Sequence, residues 1–113
     1  MKATKNGYNP EYSENAPTLD EIQEVTGNVI LEFGAPWCSH CQATQPIAKK
    51  ILSQYPNLPH TKLYDGKGKV LGRAFKVKQW PTFILLLNGN EVDRLVRPIE
   101  LSQLKRLLPK TII

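Results

Sequence analysis

Cysteine is scarce in this chain: 113 residues hold two, with two histidines and one methionine. Two cysteines cannot form the multi-bridge framework that staples small secreted domains. They are also too few for a four-thiolate zinc site. His40 and His60 would complete a Cys2His2 set only on paper, because His40 lies between Cys38 and Cys41 and cannot easily share a tetrahedral ion with both neighbours. No metal is expected. Long apolar runs are missing too. The longest, Phe83 to Leu87, has strand length and falls far short of the ~20 residues that span a bilayer. Met1 to Gly7 starts basic, but no apolar stretch follows, so it does not read as a secretory signal and the cytoplasm is the expected compartment. Aromatic residues do not interleave with the cations at Lys62, Lys67, Lys69, Arg73, Lys76 and Lys78, so no nucleic-acid platform is expected there. That cluster carries much of the net charge of +5 and reads as a solvated face that favours solubility.

The length suits one domain with its own core, and there is no internal repeat. Residues 1–17, with Gly7, Pro10 and Pro17 among polar neighbours, read as an extended lead-in that Tyr8 and Tyr12 pin to a domain over residues 18–113. Thr18 to Glu21 forms a capping box for a short helix bearing Leu19, Ile22 and Val25, ended by Gly27. Val29 to Phe33 is apolar apart from Glu32 and suits a strand buried on both faces. A helix after Cys38 carries Ala43, Ile47, Ile51 and Tyr55, with Ala48 and Leu52 alongside and Pro46 inside. Leu58 to Tyr64 predicts a strand, Val70 to Phe75 a short helix, and Thr82 to Leu87 a strand. Asn88-Gly89 predicts a hairpin into Glu91 to Arg97. Leu101, Leu104, Leu107 and Leu108 stripe a last helix. The order is a parallel crossover half followed by a hairpin half, an α/β class with a central mixed sheet and helices on both faces.

Both cysteines stand in Phe33-Gly34-Ala35-Pro36-Trp37-Cys38-Ser39-His40-Cys41, where a strand gives way to a helix. Strand, aromatic residue, Cys-x-x-Cys and helix together are the sequence form of a dithiol redox site. Cys38 is the expected nucleophile, since a helix N-terminus stabilises the thiolate that attacks a disulfide. Cys41, three positions on, is the expected resolving thiol. His40 beside that thiolate favours the anion and hence a more oxidising pair, with Ser39 as its companion in tuning.

On Trp37-Cys38-Ser39-His40-Cys41 and Trp80-Pro81-Thr82 the chain resembles the thioredoxin family, from about Thr18 to Leu108. The resemblance implies a thioredoxin fold and a thiol-disulfide oxidoreductase without a bound cofactor. The expected substrates are disulfide-containing proteins and the expected electron donor is of the thioredoxin-reductase type, with no membrane or nucleic acid as partner and the chain acting as a monomer. Pro81 matches the family's cis-proline, which leaves the preceding backbone open to an extended substrate, with Trp37, Trp80, Thr82 and Arg97 around the groove. Glu32, six residues before Cys38, stands where thioredoxins carry a buried aspartate that serves the resolving thiol through water, and Lys62 stands where they carry its lysine partner. Burial is expected to outweigh Lys62 and raise the Glu32 pKa. Three departures stand out: Ser39-His40 replaces Gly-Pro, Gly34 replaces a common tryptophan, and Val96-Arg97-Pro98 replaces a groove glycine. Residues 1–17 lie where most thioredoxins begin with a strand, but they show no alternating run. The rival reading is a protein-binding module that uses the Trp37/Trp80/Pro81 groove, switched by redox state or independent of it.

Overall fold

A computed structural model describes residues 1–109. Five strands form one sheet in the order β1-β3-β2-β4-β5: β1 (Thr4–Asn6), β2 (Asn28–Gly34), β3 (Pro59–Tyr64), β4 (Thr82–Leu87) and β5 (Asn90–Val96). Four helices complete it: α1 (Leu19–Gln23), α2 (Ser39–Leu52), α3 (Leu71–Ala74) and α4 (Leu101–Leu107). β2 and β3 run parallel, as the α2 crossover between them requires, and β1, β4 and β5 each run antiparallel to their neighbours. No helix among the described residues is long and apolar enough to cross a membrane.

β2 sits at the centre and is buried along nearly its whole length. Its alternate side chains feed two cores. Val29, Leu31 and Phe33 pack with Ile22, Leu63, Leu71, Ile84 and Leu86 under α1 and α3. Ile30 packs with Phe83, Leu85, Ile51, Leu52 and Leu104 under α2 and α4. Glu32 falls on this second face, at the end of β2 that leads to Cys38. The buried side of α2 is formed by Cys41, Thr44, Ala48, Ile51 and Leu52. Ala43, expected on that stripe, is exposed, because the helix turns Cys41 inward instead.

The lead-in is more firmly built than its composition suggests. Thr4, Lys5 and Asn6 pair with Thr61, His60 and Pro59 as a sheet strand. Further on, Ser13 bridges Leu63 in parallel: its N–H donates to the Lys62 carbonyl at 3.0 Å, and Tyr64 N–H donates back to it at 2.9 Å. The segment therefore runs along β3 twice. Pairing with a neighbouring strand substitutes for the alternation that three residues are too few to display.

The Asn88-Gly89 turn has positive φ at both residues, 51° and 81°, as a tight right-twisting hairpin demands. It docks on the end of α1. Gly27 N–H donates to Asn88 Oδ1 at 2.8 Å, and a Cβ on Gly89 would stand 2.2 Å from the Gln23 carbonyl oxygen. Backbone occupies that space, so Gly89→Ala must separate turn from helix while straining φ. It should cost about 3 kcal/mol in urea melts, against near-neutrality for an alanine at the open Gly27 position's exposed neighbour Thr26.

Candidate functional site

The break between β2 and α2 places the two sulfurs. Cys38 is the N-cap of α2 with extended backbone, and its Sγ accepts from the Cys41 N–H at 3.2 Å. The sulfur thus takes the role a serine or aspartate oxygen plays at other helix starts, and the helix field favours negative charge on it. Cys38 is half-buried and Cys41 fully buried, and both are free thiols. Burial pushes the Cys41 thiol up to about 12, with the Cys38 hydrogen bond adding to the rise and the Ala35 backbone and Tyr12 opposing it. The pair is asymmetric: an outer sulfur reachable from solvent and an inner one that holds its proton.

Behind Cys41 lies a polar cluster bounded by β2, β3, α2 and the lead-in, buried at Glu32, His60 and Lys62 and open to solvent past Tyr12 and Gln45. Glu32 is wholly buried and takes three donors: His60 Nε2 at 2.9 Å on Oε1, and Gln45 Nε2 at 3.0 Å with the Tyr12 hydroxyl on Oε2. His60 Nδ1 accepts from the Asn9 backbone N–H at 2.9 Å, so its ring proton is on Nε2 and faces Glu32. Burial pushes the Glu32 carboxyl up, but His60, Lys62 and Tyr12 together hold it below its ordinary value. This corrects the expected rise. Desolvation was legible in the apolar strand; the three donors were not.

Lys62 is also fully buried, so it does not belong to the solvated cation face. It pairs with Glu32 across the β2–β3 register, yet its ammonium donates to the Pro10 carbonyl at 3.1 Å and to Gln45 Oε1. The Gln45 amide therefore stands between the lysine and its expected partner acid. Tyr8 donates to the same Gln45 oxygen at 2.7 Å, and the Lys62 ammonium sits 4.5 Å from the Tyr12 ring centroid. Burial lowers the Lys62 pKa, and the Glu32 charge offsets part of that.

The rim holds the other expected residues. The Trp80-Pro81 peptide is cis. Trp37 is 64% exposed and meets Trp80 edge-on, with centroids 5.4 Å apart. The Trp80 indole N–H donates to Asp65 at 3.0 Å, and the buried Thr82 hydroxyl donates to the Gln79 carbonyl at 2.6 Å. Ser39 and His40 are exposed on the first turn of α2, with His40 beside Arg97 and Ile99. Arg97 Nε donates to the Trp80 carbonyl at 2.7 Å. The carbonyl expected to lie open to substrate is therefore covered, and an extended chain pairing there has to displace a guanidinium.

Sequence reasoning missed Gln45 and passed over His60 except as a metal ligand. The signal for His60 was available. It stands two residues before Lys62 in a strand, hence on the same face, beside the strand that carries Glu32.

The family model for thioredoxin matches residues 11–110. Thioredoxin 2 of Pseudomonas aeruginosa PAO1, solved in its reduced form, is 46% identical and superposes with a TM-score of 0.79 over 88% of this chain and 92% of that one. Rice thioredoxin H5 is 30% identical over 70% of this chain, which spans 58% of the rice protein. Human protein disulfide-isomerase A4 is 34% identical over 70% of this chain, which spans 13% of its length. Sheet order, the paired thiols at a helix start and a match over nearly the whole length agree, and this chain belongs to the thioredoxin family.

Proposed function

We propose that the chain is a thiol-disulfide oxidoreductase that works through Cys38 and Cys41. The observation that carries this reading is the buried Cys41 thiol behind a half-buried Cys38 whose sulfur caps a helix. Cys38 thiolate attacks one sulfur of a substrate disulfide, forms a mixed disulfide and expels the other sulfur as a thiolate. Cys41 then gives up its proton and attacks Cys38 Sγ. The Cys38–Cys41 bond forms, the mixed bond breaks, and the substrate leaves as a dithiol with two electrons. Folded proteins with accessible disulfides are the proposed substrates, gripped by Trp37, Trp80, Thr82 and the backbone at Pro81, with Arg97 at the rim. A thioredoxin-reductase-type donor restores the dithiol. The proposed setting is the cytoplasm, where such a pair is kept reduced, with the chain acting as a monomer.

Insulin reduction driven by thioredoxin reductase tests the reading: wild type should precipitate the insulin B chain, and Cys38→Ser should not. A wild type that is inactive here but oxidises a reduced unfolded protein would reverse the direction.

His40 sets the poise. The reduction potential of the pair should lie above the ~−270 mV of thioredoxin and below the ~−120 mV of the strongest periplasmic oxidant, and His40→Pro should move it down by tens of millivolts. A wild-type value at or below thioredoxin's would leave His40 without this role.

A further inference from the structure

The resolving step needs somewhere for the Cys41 proton to go, and the pocket behind Cys41 contains a side chain fitted to carry it. Tyr12 donates its hydroxyl hydrogen to Glu32 Oε2, and on the other side its oxygen and the Cys41 sulfur border the same small space beside Gly34. Both atoms are brought together by the absence of a side chain at Gly34. A Cβ there would stand 2.7 Å from Cys41 Sγ and 2.7 Å from the Tyr12 hydroxyl. Gln45 Nε2 braces the group, donating at 3.0 Å to the Cys41 carbonyl, at 3.0 Å to Glu32 and at 3.3 Å to the Tyr12 oxygen.

We propose that the Tyr12 hydroxyl is the proton conduit between Cys41 and Glu32. A phenol oxygen has one hydrogen to give and two lone pairs. While that hydrogen rests on Glu32, a lone pair toward the Gly34 space is free to take the Cys41 proton. As Cys41 attacks Cys38, the thiol proton passes to the Tyr12 oxygen while the phenol proton passes to Glu32 Oε2. The phenol emerges neutral, Glu32 becomes a carboxylic acid, and the Cys41 electron pair enters the Cys38–Cys41 bond. His60 cannot divert the proton, because its Nε2 hydrogen already faces Glu32 and its Nδ1 is engaged by Asn9. The Lys62 ammonium also faces the pocket but is turned to Gln45 and Pro10, and the exposed Glu11 lines the adjoining opening. The lead-in therefore contributes to the chemistry, with Tyr12 held in place by the Ser13 bridge to β3.

This rests on the pair working as a dithiol, and one assay separates the two claims. With 5,5′-dithiobis(2-nitrobenzoate) under single-turnover conditions, the first release of the coloured thiolate reports attack by Cys38 and the second reports resolution by Cys41. Tyr12→Phe keeps the ring and removes the conduit. Its first release should match wild type. Its second should slow about a hundredfold at pH 7, the low end of what a positioned acid-base group contributes, and the gap should narrow as pH rises. A second release at the wild-type rate, or equal slowing of both releases, overturns the conduit. A wild type without a second release overturns the oxidoreductase reading instead. Should Tyr12→Phe fail to fold, the wild-type second release in mixtures of light and heavy water decides: two protons in flight give a curved dependence on deuterium fraction, and a straight line overturns the proposal.

Discussion

Cys41→Ser should convert the protein into a trap. Cys38 keeps its helix cap and its access to solvent, so attack on a substrate disulfide proceeds, but the serine hydroxyl cannot break the mixed bond. Incubated with disulfide-bearing protein, the variant should accumulate reducible adducts through Cys38 and turn over at background rate. Cys38→Ser should be equally inactive and should trap almost nothing, because Cys41 is fully buried and its burial favours the thiol. Non-reducing electrophoresis followed by mass spectrometry of the adducts measures both. Equal trapping by the two variants would mean that the outer and inner roles are reversed.

The other large effect is on stability. Glu32→Gln preserves shape but replaces one acceptor oxygen with an amide. The carboxylate faces only donors, from His60, Tyr12 and Gln45, so whichever way the new amide turns, one N–H group meets another donor. His60 cannot adapt by moving its proton, because Asn9 N–H occupies Nδ1. The variant should lose about 3 kcal/mol at neutral pH, as expected when a buried charged hydrogen-bond partner is removed. Linkage gives a second signature. The folded pKa of Glu32 lies below the unfolded one, near 4.5. Between the two, the unfolded chain binds more protons than the folded one, so the stability Glu32 contributes is fully present above the unfolded value and is lost as pH falls through the folded one. Urea melts from neutral pH into that acidic window should show the wild type losing this contribution and the variant lacking it. A variant as stable as wild type at neutral pH would mean that the carboxylate is held at a net cost, as its apolar strand alone would imply.

What could be read beforehand was local. Cys-x-x-Cys spacing, the Thr18 capping box and the Asn88-Gly89 turn each carry their geometry within a few residues, and all three stand in the structure as read. β1 could not be read, since Thr-Lys-Asn has no alternation and is a strand only because β3 is beside it. The pocket was half legible. Glu32 and Lys62 were found by position, but the two are bridged by Gln45, a polar helix residue with nothing in its neighbourhood to mark it. Tyr12 was read as a pin for the lead-in. Its contact with an acid twenty residues away follows from the Ser13 bridge and from the space left at Gly34, which local pattern does not encode.

The two tryptophans have a consequence for the bench. They are the only ones in the chain, and they touch each other at the mouth of the groove, one tied to Asp65 and the other 64% open to water next to Cys38. All indole fluorescence of this protein therefore originates within the groove. An occupant that shields Trp37 or parts it from Trp80 changes the emission without a dye or an engineered label, so the groove carries its own optical readout.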